Sequence, residues 1–268
     1  MNRRLAIARH WLAGRSNVTL SDLCAKLCAR TCTARAKPLI ESLRVDDGWY
    51  EVRLKTASFP LFFPARMPLH PLYQCIAEVG YPDDWHYYEA AGTRVEAGDT
   101  VLDCGAAEGL FTLGVAPRCA RVYAIEPLPD FVAALRRTFA RQANVEVVPV
   151  ALGASPGTAH LNEHNIMSRI SDEGTARIDV DTIDHRFLER GIAVNYIKAD
   201  LEGGEIDMLR GAERTIRTCQ PRIAITTYHA ASHAEEIAGL LHQWNPAYRF
   251  RTKGIEERAG APVMLHAW

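Results

Sequence analysis

No stretch of the chain reaches the roughly 18 consecutive apolar residues that a bilayer span requires, so no membrane role is expected. Strong charge of either sign is missing as well. The 31 basic and 32 acidic residues leave a net charge of -1, which gives no electrostatic reason for nucleic acid or an anionic surface as the main partner. The 7 cysteines are odd in number and scattered. They do not read as a disulfide framework, and a reducing, cytoplasmic setting is expected. At the start, Arg9 and His10 interrupt what would be the apolar core of a signal peptide. No G-x-x-x-x-G-K-[ST] occurs, which excludes a P-loop. GASPG (153–157) fits the G-x-S-x-G pattern of a hydrolase elbow, but Pro156 lacks the N–H that the oxyanion hole would need. That segment reads as a turn.

What is present points to a folded enzyme-sized unit. Hydrophobic residues make up 48% and charged residues 24% of 268 positions, enough for a sizeable core. The length suits one domain with an extension or two small domains. We place the boundary so that residues 1–95 form an N-terminal extension and residues 96–268 the main domain. Residues 1–45 read as amphipathic helix stopping near Pro38, with Cys24, Cys28 and Cys32 as a core-facing helical stripe rather than a metal site. WYEVRLKT (49–56) alternates like a strand, and FPLFFPARMPLHP (59–71) reads as irregular chain broken by prolines. A short helix, PLYQCIAEVG, and the aromatic segment YPDDWHYYEAA (81–91) follow.

From residue 100 onward strands and helices alternate. The strands are TVLDCG, RVYAIEP, VEVVPVAL, VNYIKADLE and RIAITTYH. The helices between them include GLFTLGVAPR, LPDFVAALRRTFARQ, GEIDMLRGAERTIRTCQ and HAEEIAGLLHQW, and a hairpin excursion precedes the short helix TIDHRFLERG. Parallel neighbours need such crossovers, so the expected fold class is α/β with a mostly parallel sheet. YRFRTKG and PVMLHAW lack a helix between them and read as a closing antiparallel hairpin.

The turn after the first core strand, VLDCGAAEGLF (101–111), lies where such sheets bind ligands. A dinucleotide turn needs a middle glycine beside the pyrophosphate, yet here that position is Ala106 or Ala107, and Glu108 brings negative charge. A cationic sulfonium nucleoside, S-adenosylmethionine, suits Asp103 and Glu108 better, and Gly105 permits close approach. Glu126 ends the second core strand, where an acidic residue commonly receives ribose hydroxyls.

These segments also resemble a known family. VLDCGAAEGLFTL, VYAIEPLPDF, NVEVVPVALG, YIKADLEGGEIDMLRGA and PRIAITTYH look like the successive motifs of FkbM-type S-adenosylmethionine-dependent methyltransferases over roughly residues 95–268. The resemblance implies a class I methyltransferase, Rossmann-like fold, with seven strands, helices on both faces and one antiparallel strand. It also implies methylation of hydroxyl groups on small metabolites or glycans. The expected cofactor contacts are Asp103, Gly105, Ala106, Glu108, Gly109, Glu126, Pro127, Ala151 and Asp200.

KADLEGGE places Asp200 and Glu202 on one side of an extended chain, and TTYH brings Tyr228 and His229 to the same rim. His229 is the first choice for a general base, Asp200 the second, with Glu202 beside them. The same groups would suit a divalent cation, which is not expected, and the metal assignment stays open. Tyr87, Tyr88, Asn165, Ser168, Arg169 and Tyr228 are the expected substrate contacts. A homo-oligomer is left open. The rival readings are a nicotinamide oxidoreductase and a non-catalytic adenosyl-binding subunit.

Overall fold

The computed structural model describes residues 3–14, 17–161, 170–171 and 176–268. The chain begins with three short helices, α1 (Arg3–Leu12), α2 (Leu20–Cys28) and α3 (Cys32–Ala36). The hydroxyls of Thr19 and Thr31 cap the second and third by accepting from the N–H groups of Asp22 and Ala34. The cysteine stripe does not form, because α2 ends at Cys28, and Cys24 and Cys28 are exposed. Past Pro38 the chain extends into β1 (Ile40–Asp46), β2 (Trp49–Leu54) and β3 (Leu61–Pro64), an antiparallel sheet. The last of these lies within the segment expected to be irregular. Its register against β2 buries Leu61 and Phe63, and Pro64 is tolerated on an edge strand. Helix α4 (Leu69–Gly80) completes this part.

The main domain follows the expected alternation. In chain order it comprises β4 (Thr100–Cys104), α5 (Leu110–Val115), β5 (Arg121–Ile125), α6 (Pro129–Thr138) and β6 (Val145–Val148). Next come β7 (Ala151–Leu152), β8 (Gly157–Leu161), β9 (Ile170–Ser171), β10 (Ala176–Asp181) and α7 (Ile183–Arg186). Then follow β11 (Tyr196–Ala199), α8 (Glu205–Arg210), α9 (Glu213–Cys219), β12 (Arg222–Thr226), α10 (His233–Trp244), β13 (Phe250–Lys253) and β14 (Met264–Ala267). Among the described residues, a seven-stranded sheet has the order β13-β14-β12-β11-β4-β5-β6. Strand β14 is antiparallel to both neighbours, and the remaining pairs are parallel. Strand order reverses between β4 and β11, so a crevice opens beyond their carboxyl ends.

Both faces of this sheet are covered, which is why its central strands are apolar almost throughout. Leu102, Ile125, Ile197 and Ile225 pack with Met208, Ile216 and Ile237 of the helices on one face. On the other, Val101, Val122, Tyr196 and Ala224 pack with Ile7, Leu23, Trp85 and Tyr88 from the N-terminal part. That part therefore shares a core with the main sheet.

Two elements divide where a single one was expected. Pro149 cannot donate to a ladder, and the chain on either side of it joins different sheets. Strand β6 pairs with β5, whereas β7 pairs with β10 in a separate four-stranded sheet. The helix expected over 204–220 breaks at Gly211 and Ala212, and Asp184 causes the break. Its N–H donates to the Gly211 carbonyl at 2.9 Å, while its carboxylate accepts the Thr215 N–H at 2.7 Å. Each half of the helical bond between Gly211 and Thr215 is thereby taken by one residue.

Candidate functional site

A cavity of about 1350 Å³ lies over the carboxyl ends of β4, β5, β11 and β12. Its first wall is the turn after β4. There the N–H groups of Gly105 and Ala106 both donate to the Ile125 carbonyl at 3.0 Å, tying the turn to the neighbouring strand. Gly105 and Gly109 adopt positive φ, 74° and 83°. Gly105, Ala106 and Glu108 line the cavity, and burial pushes the Glu108 carboxyl above its ordinary range.

Two of the expected cofactor contacts are placed elsewhere. Asp103 is fully buried beneath the turn, where it accepts the Thr112 hydroxyl at 2.7 Å and faces Lys198 Nζ at 3.0 Å. A carboxylate so far from water needs such a partner more than it needs a ligand. Gly109 also lies off the cavity wall. Its positive φ strains any other residue there, and a Cβ would also press on the Leu135 and Phe139 side chains, so the backbone turn rather than a ligand requires glycine.

Glu126, Pro127 and Ala151 form the second wall. The two Glu126 oxygens accept the N–H groups of Ala107 and Leu128, each at 2.9 Å, which leaves lone pairs toward the cavity. Burial raises its pKa to about 7. Lys198 points into the turn. It donates to the Gly105 carbonyl at 2.6 Å and lies 5.1 Å from the Tyr88 ring centre.

The third wall gathers Asp200, Glu202, Tyr228 and His229. Asp200 accepts hydroxyl hydrogen bonds from Tyr88 at 2.9 Å and Thr226 at 3.2 Å, and burial raises its pKa. Asp200 and Glu202 do not share an extended side. The strand ends at Ala199, and Glu202 sits at φ 54°, which redirects its side chain toward His229.

His229 does not suit the role of general base expected for it. Its Nδ1 lies 3.0 Å from Glu205 and its Nε2 3.3 Å from Glu202, so both nitrogens face carboxylates. Burial alone would lower its pKa. The Glu202 and Glu205 carboxylates outweigh burial and raise it to about 10. At neutral pH the ring is therefore a cation. Because the folded value lies above the ordinary 6.5, its stabilising effect is complete below about pH 6.5 and is lost as pH rises through about 10. The urea midpoint is expected to fall across that window in the unaltered protein and to fall less in His229→Gln. Equal slopes would disprove the clamp.

Glu205, in the first turn of α8 where the helix dipole favours an acid, is fully buried. It accepts the Leu201 N–H at 2.9 Å, closing the double-glycine turn, and shares the single Thr226 hydroxyl proton with Asp200, each at 3.2 Å. The acid directly after Gly203 and Gly204 was the available signal. Asp200, Glu205 and His229 bring possible ligand atoms within 4.8 Å of one another. Such a group suits either a cation or the proton on His229. Glu78, Cys75 and His86 also reach the cavity, from the N-terminal part. Tyr88 lines it, but Tyr87 does not, lying instead 5.8 Å from Lys253 Nζ. Asn165, Ser168 and Arg169 lie outside the described residues.

Residues 103–251, more than half of the chain, match the family described as the methyltransferase FkbM domain. The chain belongs to the FkbM methyltransferase family. Among solved structures it is similar to the FkbM methyltransferase from Methylobacillus flagellatus KT, at 21% identity and a TM-score of 0.57. That match covers 73% of this chain and 54% of the other, so this FkbM chain spans about half the length of that relative. A weaker likeness, 11% identity with a TM-score of 0.47, is to M. jannaschii TYW2 in complex with AdoMet, covering 85% of this chain and 88% of that one. No curated protein sequence matches. The seven-stranded sheet with its antiparallel β14 and the likeness to the Methylobacillus flagellatus structure show the class I methyltransferase fold. Among the described residues no helix is long and apolar enough to cross a membrane.

Proposed function

We propose that this FkbM protein transfers a methyl group from S-adenosylmethionine to a hydroxyl of a small metabolite or glycan. The observation that carries the reading is the environment of Glu126. It is a buried carboxylate at the end of the second core strand, anchored by two backbone N–H groups and open to the cavity. It suits the paired hydroxyls of a ribose. The acids Glu108 and Glu126 disfavour a pyrophosphate at the turn, and the cation there, Lys198, is already engaged by Asp103 and the Gly105 carbonyl. Those features favour a sulfonium nucleoside over a nicotinamide dinucleotide.

When bound, S-adenosylmethionine supplies an electrophilic methyl group. The chain's own task is to align an acceptor oxygen and take up its proton. Asp200, which already accepts the Tyr88 hydroxyl, lines the part of the cavity where the acceptor oxygen would be aligned. The 1–95 segment then serves as the substrate-side wall and 96–268 as the cofactor-binding domain. Incubation of the purified protein with isotopically labelled donor and a metabolite extract tests this reading. A metabolite gaining one labelled methyl group is the expected result, and saturable NAD binding without S-adenosylmethionine binding would refute it.

Glu126→Ala is expected to weaken calorimetric binding of S-adenosylhomocysteine by about tenfold or more, equivalent to at least ~1.4 kcal/mol. In the unaltered protein the affinity should fall as pH drops below about 7, because the protonated carboxyl accepts fewer hydrogen bonds. An affinity indifferent to both changes would remove Glu126 from the ribose site.

A further inference from the structure

With His229 clamped on both nitrogens, the proton of an acceptor hydroxyl needs another destination. We propose that His86, in the N-terminal part, is the general base for the acceptor hydroxyl. This rests on the hydroxyl-methylation reading above and assigns its proton-transfer step. His86 lines the same cavity, and its ring meets the Tyr228 ring edge-on at 5.3 Å between centres. The difference from His229 lies in how its nitrogens are placed. Both carboxylates near His86 stand on the Nδ1 side, Glu78 at 3.6 Å and Asp84 at 3.8 Å. Nδ1 is buried and, like both nitrogens of His229, makes no well-aligned hydrogen bond, so the contrast between the two rings lies in where the carboxylates stand. Nε2 is not among the buried unpartnered side-chain atoms, and 16% of the side chain remains accessible, which leaves Nε2 as the nitrogen for the cavity.

The support behind His86 is built from separate elements. Asp84 accepts the His86 main-chain N–H at 3.2 Å, fixing the loop. Arg35 of α3 and Lys26 of α2 pair with Asp84, while Gln74 donates to Glu78 at 2.9 Å along α4. At 3.6 and 3.8 Å these carboxylates stand beyond hydrogen-bond range of Nδ1 and act on the ring through their charge. The charges facing the ring are Glu78, Asp84 and, across the cavity, Asp200, with Lys26 and Arg35 partly offsetting Asp84. Burial lowers the His86 pKa, and the Glu78 and Asp84 carboxylates outweigh it, so the ring titrates above the ordinary imidazole range. In the step, the acceptor oxygen bonds to the methyl carbon as the carbon–sulfur bond breaks. The sulfur keeps that electron pair, and the hydroxyl proton passes to Nε2 of His86.

Diethyl pyrocarbonate, which acylates accessible unprotonated imidazole, reads the two histidines apart without any acceptor. Applied to the full chain with peptide mass mapping, it should modify His86 and leave His229 intact between about pH 6 and 9. The His86 rate should rise with pH, and Glu78→Gln should move its midpoint downward. Modification of His229 with His86 silent would overturn the proposal. His86→Gln should keep unchanged affinity for S-adenosylhomocysteine while labelled methyl transfer falls by about a hundredfold or more. Undiminished transfer by that variant would also overturn it. If the unaltered protein shows the expected modification pattern yet methylates no hydroxyl, the functional reading fails instead.

Discussion

Lys198→Met is expected to destabilise the protein by about 3–5 kcal/mol, the usual effect of removing one partner from a buried ion pair. Asp103 is fully buried and Lys198 is 4% exposed, so neither charge can recover its hydration when the other is lost. The geometry adds a second loss. Lys198 Nζ is 3.0 Å from the Asp103 carboxylate and 2.6 Å from the Gly105 carbonyl, so one side chain ties β11 to both the end of β4 and its turn. Urea unfolding measures the change. The double variant Asp103→Asn, Lys198→Met should recover part of the loss, because it leaves no uncompensated charge. A single variant within about 1 kcal/mol of the unaltered protein would show that the pair contributes little.

Gly105→Ala carries a comparable penalty for a different reason. A Cβ at Gly105 would fall 2.0 Å from the Asp200 carbonyl oxygen, a backbone atom with no rotamer by which to move aside. The residue also sits at φ 74°, where an L side chain is strained. Strain alone costs about 1–3 kcal/mol, and forcing two strand ends apart adds to it. Gly98→Ala separates the two effects, since Gly98 has φ 87° with nothing near its missing Cβ. We expect Gly98→Ala to lower the urea midpoint modestly. Gly105→Ala should lower it much further and weaken binding of S-adenosylhomocysteine. Equal effects would mean that the close approach to Asp200 is not what demands glycine.

Much of the site's outline was legible before any coordinates. The period of the apolar residues marks where β4, β5, β11 and β12 end, and ligand crevices form at such ends. Glu108, Glu126, Asp200, Tyr228 and His229 accordingly line one cavity. Direction was harder. Asp103 and Glu126 both end or nearly end a core strand, yet one lies beneath the turn and the other opens above it. Asp103 still lies within β4, in register with Lys198 of β11, whereas Glu126 lies past the end of β5. His229 appeared to be a free imidazole because Glu205 reads locally as a helix-dipole acid. Only the fold around Gly203 and Gly204 turns that acid inward. The N-terminal contributions were the least visible, since Tyr88 reaches Asp200 across 112 positions of sequence.

The amino-acid sequence by itself determined the order of strands and helices, the strand ends at which acids gather, and the family. These follow from local periodicity and from short contiguous motifs. Tertiary structure alone decided which acids are neutralised by partners and which face the cavity, and that a carboxylate stands beside each ring nitrogen of His229. It also decided that the first part of the chain lines the same cavity. Such outcomes depend on burial and on charges brought together from distant positions, and a carboxylate's character changes with its partners far more than with its sequence neighbours.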